Sequence, residues 1–378
     1  MMHTWFLETP LIEDLQARVE SLARMPEVQG LLVFAADANG WTPEQLDPLL
    51  TAASVPLLGG IFPQIIYQGQ NYTQGAVLVA LEQTPQWSLV QDLSNPEADF
   101  DQALEPLADA WEELPKPATH LVFVDGLATC IATLIEALFM NFGLEQNYLG
   151  GGAGSLSFVQ KPCLLTPEGL KQDAALLIRL PLASGIGVAH GWEPISEPYK
   201  VTASTKNQVH QLDWKPAFEE YRQQVEASSG QVFNDQNFFD IAKGYPFGIN
   251  KLADELVVRD PLMLQDENSM VCVGEVPEGS FVRILKGSPQ TLIAAAGDAA
   301  NLALKDWQAE REGQPELACF IDCISRVLFM EEAILEEFKQ VAGDYPLVGA
   351  LTLGEIANSG KDYLEFYNKT AVLGLLGR

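Results

Sequence analysis

The sequence predicts an α/β (α+β) fold of repeated β-α-β-β units, with mixed sheets flanked by helices and two pseudo-equivalent halves. Three observations carry that prediction. Short runs of β-branched and aromatic residues alternate with stretches whose apolar positions recur with helical period. A glycine-anchored pattern returns along the chain. The 378 residues are 47% hydrophobic and 19% charged, which supplies a large globular core.

The elements follow in order. Leu11, Leu15, Val19 and Leu22 fall at i, i+4, i+8 and i+11, the stripe of a helix that faces a core. In a first unit, GLLVFAAD (Gly30 to Asp37) reads as a strand, WTPEQLDPLLTAA as a helix opened by Thr42-Pro43, VPLLGGIFPQII as a turn and strand, and YTQGAVLVAL as a further strand. The acidic, proline-bounded segment after it (Glu82 to Ala118) reads as a solvent-covered helix. A second unit runs THLVFVDG (Thr119 to Gly126), CIATLIEALFMNFG, NYLGGGAGSLSF and DAALLIRL. A last unit runs ELACFIDC (Glu316 to Cys323), FMEEAILEEFKQVAG, YPLVGALTLGEI and YNKTAVLGLL. The spacing from first strand to anchoring glycine is similar in each: Leu31 to Gly59, Leu121 to Gly150, Ala318 to Gly349. A divergent fourth copy is expected in WKPAFEEYRQQVEA, GYPFGINKL and SMVCVGEV, which divides the chain near Pro194 into residues 1–194 and 195–378 with two units each. The boundary segment VAHGWEPISEPYKVTAS reads as a connector or β-ribbon.

Charge narrows the function. Lys and Arg total 22 against 51 Asp and Glu, a net charge of −29, so nucleic acid and anionic membranes are repelled. The start, MMHTWFLETPLIED, has no basic n-region and places Glu8, Glu13 and Asp14 where an export signal needs apolar residues. No apolar run is long enough to span a bilayer. Five cysteines without paired spacing predict neither a disulfide framework nor a zinc knuckle, and a cytoplasmic location is expected.

GVAHGWEPISEPYKVTAS (Gly187 to Ser204), VHQLDWKPAFEEY, GSFVRILKGSPQTLIAAA, and GALTLGEIANSG with YNKTAVLGLL resemble, in that order, the FIST family. The resemblance covers nearly the whole chain, with residues 1–194 as the FIST N-terminal domain and 195–378 as the FIST C-terminal domain. It implies a sensory, signal-transducing role with a small ligand such as an amino acid; some members are described as haem proteins that sense nitric oxide. The chain has neither an F-box, as a eukaryotic branch does, nor room for an output domain, so a signal is expected to leave through a protein partner or through a second function. Where many members show Phe-Ser-Cys-x-Gly-Arg, this chain has Phe320-Ile321-Asp322-Cys323-Ile324-Ser325-Arg326, without the glycine. His190 stands where the family often has glutamine.

Candidate ligand-binding residues fall in three groups. Gly150, Gly151, Gly152 and Gly154, with Ser155 beside them, offer backbone N–H groups to an anion, or else form a strand-entry turn. Cys323, Ser325 and Arg326 follow a strand, where a guanidinium clamps a carboxylate. Thr352, Glu355 and Asn368 gather polar groups for an amino group. Together Arg326 and Glu355 suit a zwitterion, the bland alternative being a salt bridge between them. No His follows His210, which leaves Cys323 without a recognisable base and makes a cysteine hydrolase unexpected. No acid, base and nucleophile set assembles at recognisable spacing, so an enzyme is not expected. None of His3, His120, His190 and His210 lies in zinc spacing; His190 and His210 are the candidate haem ligands, although no haem motif surrounds either and haem is expected to be absent. The cofactor is left unassigned. Beside the amino-acid sensor stand a haem-based gas sensor and a non-catalytic adaptor that meets a basic partner through its acidic surface.

Overall fold

The computed structural model describes residues 2–143, 145–234, 236–251, 255–358 and 363–378. Met1, Leu252, Ser359 and Gly360, in segments quoted above, lie outside these ranges. The chain opens with β1 (Thr4–Leu7), α1 (Ile12–Leu22), β2 (Gly30–Ala36), α2 (Pro43–Ala52), β3 (Leu57–Phe62), β4 (Gln64–Tyr67), β5 (Gln70–Tyr72) and β6 (Ala76–Leu81). The same succession follows in β7 (Gln86–Gln91), α3 (Phe100–Glu112), β8 (Thr119–Asp125), α4 (Ile131–Phe142), β9 (Asn147–Ala153), β10 (Leu164–Thr166), β11 (Gly169–Lys171) and β12 (Ala174–Leu180). After β13 (Ala183–Ala189) an insert intervenes: β14 (Glu193–Pro194), β15 (Tyr199–Thr205), β16 (Gln208–Leu212), β17 (Lys215–Pro216), α5 (Ala217–Ser229), α6 (Phe238–Ala242), β18 (Phe247–Asn250), β19 (Leu256–Arg259), β20 (Pro261–Leu264), β21 (Met270–Cys272) and β22 (Phe281–Lys286). The succession then resumes with α7 (Pro289–Glu310), β23 (Leu317–Cys323), α8 (Ile324–Met330), α9 (Ile334–Val341), β24 (Leu347–Thr352), β25 (Glu355–Asn358), β26 (Leu364–Tyr367) and β27 (Ala371–Gly377).

Local chemistry explains these elements. The leading strands β2, β8 and β23 are buried along their whole length, as central strands covered on both faces must be, and so read as continuous apolar runs. Thr42 is extended and Pro43 occupies the first turn of α2, while the Gln45 side chain accepts from the Thr42 N–H at 3.1 Å. Ser288 caps α7 by accepting from the Thr291 N–H at 3.2 Å. On α1, Leu15, Val19 and Leu22 are buried as the stripe requires, but Leu11 precedes the helix and is 55% exposed. The segment between the first two units is not one covering helix: Gln86–Gln91 forms β7, and α3 buries Phe100, Leu104 and Trp111.

Three segments share one pattern of strand pairing. In each copy the leading strand pairs in parallel with the glycine-anchored strand and antiparallel with the closing strand, giving the orders β6-β2-β3, β12-β8-β9 and β27-β23-β24. Gly59, Gly150 and Gly349 stand opposite Val33, Val122 and Phe320. A Cβ there would lie 1.9, 1.9 and 1.8 Å from the carbonyl oxygen of that same residue, a backbone approach only glycine permits. The expected fourth copy does not repeat this topology. Strands β18 and β19, and β18 and β22, pair antiparallel, as do the other ladders of the insert, with no parallel pair among the described residues. Among the described residues this parallel-cored topology is observed in three segments, with an antiparallel insert between the second and the last.

Each unit also lends a hairpin to another. β4-β5 extends the sheet of the third unit at β24, β10-β11 that of the first at β3, and β25-β26 that of the second at β9. Strands from either side of residue 194 thus share sheets. β3, β9 and β24 also contact one another, so the three units meet at a common centre. There Phe34, Phe62 and Phe123 pack at centroid distances of 5.5 to 6.0 Å, two of the three pairs edge to face.

Candidate functional site

The last unit brings most of its expected site residues together. Cys323 ends β23 directly opposite Thr352, which ends β24, and Glu355 begins β25 just beyond. Glu355 is fully buried and accepts from Thr352 Oγ1 and from the Thr370 N–H, each at 3.1 Å. Burial pushes its carboxyl up to about 8 against the opposing pull of those hydrogen bonds and of Arg326. The carboxyl is therefore mostly protonated at neutral pH and is not a ready counter-charge for an ammonium.

Arg326, in the first turn of α8, is fully buried, and its guanidinium is saturated from within. Nε donates to Glu337 Oε1 at 3.2 Å; Nη1 donates to the carbonyls of His190 and Lys369 at 2.8 and 3.1 Å; Nη2 donates to the Leu292 carbonyl at 2.9 Å and Glu337 Oε2 at 2.7 Å. Asp322 lies 3.1 Å from Nε as a further ion pair. All five donors are spoken for, so no N–H remains for a ligand carboxylate. The salt bridge that forms is to Glu337 and Asp322 rather than to Glu355. Arg326 is a structural hub that joins β13, α7, α8, α9 and the turn before β27.

In front of this hub opens a cavity of about 300 Å³. It sits beyond the C-terminal ends of β8 and β23, where open α/β sheets hold ligands, and the insert closes its far side. Cys323, Ser325, Gly354 and Asn368 line it from the third unit, Gly126 to Thr129 from the second, and Lys206, Asn207, Asp260 and Cys272 to Glu275 from the insert. The Cys323 sulfur accepts from Ser325 Oγ at 3.0 Å, and burial, with the Glu355 charge next, pushes the thiol pKa up. A thiol held protonated in this way is a poor nucleophile.

Two polar groups on the cavity wall lack partners. Asn368 is 1% exposed, and neither Oδ1 nor Nδ2 has a hydrogen bond. Asp260 is 2% exposed; Oδ2 is 3.0 Å from the Lys369 ammonium, while Oδ1 has no partner. Burial pushes the Asp260 pKa up and Lys369 opposes it. Lys369 is itself fully buried, donates to the Lys243 carbonyl at 3.0 Å and lies 5.1 Å from the Trp192 ring centroid. Lys206 at the rim is exposed and makes no ion pair among the described residues. Asp260, Lys206 and Lys369 escaped sequence reasoning. Asp260 belongs to the insert, far in sequence from β23, and its one legible signal was a charged Arg-Asp pair inside the apolar run LVVRDPLML.

Other expected residues lie elsewhere. Gly150 and Gly151 sit mid-strand in β9, paired with Val122 and Phe123 on one side and with Ile356 and Glu355 on the other. The Gly152 and Gly154 N–H groups donate to the carbonyls of Gly354 and Ile61, both at 2.8 Å, so this stretch packs sheets together and does not form an anion nest. Ser155 is 3% exposed and donates to Asp37 Oδ2 at 2.6 Å, and Asp37 also pairs with Lys161.

The histidines do not fit haem. His190 Nδ1 accepts from the Trp192 N–H at 2.9 Å, which places the ring proton on Nε2, the nitrogen a metal would need bare. Burial and then the Arg326 charge push its pKa down to about 4, so the ring is neutral. His190 borders a separate cleft whose walls carry Glu136, Glu193, Glu255, Asp298 and Glu365 against Lys251, which pairs with Glu365, a net acidic setting unfavourable for haem propionates. His210 engages Ser269 Oγ at 3.0 Å and Thr205 Oγ1 at 3.2 Å with its two nitrogens. Among the described residues no three His, Cys, Asp or Glu side chains group to hold a metal ion, and no helix is long and apolar enough to cross a membrane.

A largely apolar cavity with a few convergent, unsatisfied polar groups on an α/β scaffold is the architecture of a small-molecule-binding protein. Residues 30–215 match the FIST N domain and residues 217–358 the FIST C domain. The chain belongs to the FIST family, whose domains are assigned as small-ligand-binding sensory domains of signal transduction and are not known as catalytic. No curated protein matches the chain.

Proposed function

We propose that the chain is a cytoplasmic sensor that binds a free amino acid, or a small metabolite of the same zwitterionic type, in the cavity between the third unit and the insert. One observation carries this reading: the Asn368 amide borders the cavity with both a donor and an acceptor unmet in a buried setting, a cost that a ligand relieves. The ligand ammonium donates to Asp260 Oδ1 and Asn368 Oδ1. Its carboxylate accepts from Asn368 Nδ2 and from Lys206 at the rim. Arg326 and Glu355 act from behind, fixing the turn that presents Asn368. Five buried free thiols suit a reducing compartment, and a protein partner carries the signal onward.

Calorimetry of the full chain against a panel of amino acids tests the proposal. Saturable binding is expected, weakened at least roughly tenfold in Asp260→Asn, since one charge-assisted contact contributes about 1.5–3 kcal/mol. Absence of binding across the panel, or binding that Asp260→Asn leaves unchanged, overturns it.

A further inference from the structure

At the opposite end of the second unit's sheet lies a different cavity, of about 340 Å³, bordered by α3, α4 and the start of β8. We propose that it is a second ligand site, for a small carboxylate with a flat apolar body, held by Arg179 and His120.

The argument starts from register. Arg179 of β12 stands directly opposite His120 of β8, which in turn stands beside Tyr148 of β9, so the three side chains form a row on one sheet face. That face is covered by α3 and α4 with an apolar cluster, and the row lies at its edge. Arg179 is 4% exposed. Its one hydrogen bond runs from Nη2 to the Pro115 carbonyl at 2.6 Å, and no carboxylate stands against it among the described residues. A guanidinium that faces the cavity with a single hydrogen bond and no counter-ion leaves donors free, and a carboxylate matches its fork in two parallel hydrogen bonds.

His120 supplies the second, independent observation. It is 3% exposed, borders the cavity, and neither Nδ1 nor Nε2 has a partner; the neighbouring Tyr148 hydroxyl is likewise unmet. Burial, then the Arg179 charge, pushes the His120 pKa down to about 3, so the ring is neutral and offers one N–H donor and one acceptor. Trp111 stacks on the imidazole at 5.3 Å and Phe142 tilts against it at 5.7 Å, providing aromatic walls for a planar ligand. At the mouth Lys116 and Glu145 face each other at 3.8 Å, which leaves Glu112 as the residual charge; it is exposed, so water and salt screen its repulsion of an anion. The unpaired charge on the cavity wall is Arg179, and it selects an anion.

Benzoate is the probe, titrated calorimetrically into the full chain with inorganic phosphate as the competing oxyanion. One-to-one binding of benzoate is expected, weakened at least roughly tenfold in Arg179→Gln through loss of the charge-assisted pair. His120→Phe keeps the aromatic stack while deleting both nitrogens; it is expected to weaken benzoate and to identify the imidazole resonances that move when benzoate is added to the unaltered chain. Asn368→Leu, in the other cavity, is expected to leave benzoate binding intact. Failure of benzoate to bind, binding equal in Arg179→Gln and His120→Phe, or loss in Asn368→Leu overturns the site. Binding of phosphate in preference to benzoate overturns the carboxylate assignment.

Discussion

Replacing Asn368 by leucine separates a binding residue from a structural one, because the two roles predict opposite signs. The amide is 1% exposed and both of its polar atoms are unmet. Each such atom costs about 1–3 kcal/mol relative to its state in water, and an apolar group of similar size removes the penalty. Leucine is branched differently from the amide it replaces, so repacking gives back about 1 kcal/mol. The net expectation is a gain of roughly 1–5 kcal/mol, a melting-temperature rise of about 1–6 °C for a chain of this size. Amino-acid binding is lost in the same variant, the usual exchange of stability for function at a site. Urea denaturation and calorimetry measure the two halves of the prediction. A variant less stable than the parent shows that the amide has structural partners, and a stabilised variant that still binds refutes its role in the cavity.

Two further outcomes follow from buried groups elsewhere. The Glu355 carboxyl titrates at about 8 in the folded chain against an ordinary value of 4.5, so the fold favours its protonated form; the associated stability is fully present below about pH 4.5 and is lost as pH rises through 8. Glu355→Gln mimics the protonated group, and should match the parent near pH 4 yet exceed it near pH 9 by at most about 5 kcal/mol, with parallel urea-stability profiles counting against the assignment. Gly349→Ala places a methyl group 1.8 Å from the Phe320 carbonyl oxygen, so the strands must separate. A loss of about 3 kcal/mol or more in chemical denaturation is expected, and a neutral effect would show that this approach is not rigid.

What was legible in the sequence was local. The strand-helix-strand order of each unit follows from apolar periodicity, and Gly59, Gly150 and Gly349 recur because each meets the same backbone oxygen of its neighbour. What was not legible is pairing between distant short strands. Gln64–Tyr67 finds its place beside Val348–Leu351, and Glu355–Ala357 beside Leu149–Gly151, and nothing within four residues encodes such partners. The site divides the same way. Cys323 and Asn368 border the cavity, because a strand end and a polar residue within an apolar run are local signals. Arg326 and Glu355 carried equally strong local signals, as charges inside apolar sequence. Their buried partners Glu337, Asp322, Thr352 and Thr370 absorb them, and proximity of that kind is a tertiary property.

The position of the cavity follows from where the threefold repetition is broken. Each parallel ladder ends in an equivalent pair: Ala36 with Phe62, Asp125 with Ala153, Cys323 with Thr352. In the first unit the pair is apolar, and Phe62 fills the space by packing on Phe34 and Phe123. In the second, Asp125 is consumed by Gln160 Nε2 at 2.8 Å and the Asp173 N–H at 2.9 Å. Only at the third does the chain depart between β13 and α7 to build the insert, which returns Asp260, Cys272 and Lys206 to face the strand ends. A symmetric third unit would close over its own ladder as the first does. The insert instead leaves a volume walled by two units and itself, with both polar atoms of Asn368 and Asp260 Oδ1 unmet on its surface. In the proposed reading, ligand recognition belongs to the asymmetric element, and the repeated units supply the frame against which the ligand is held.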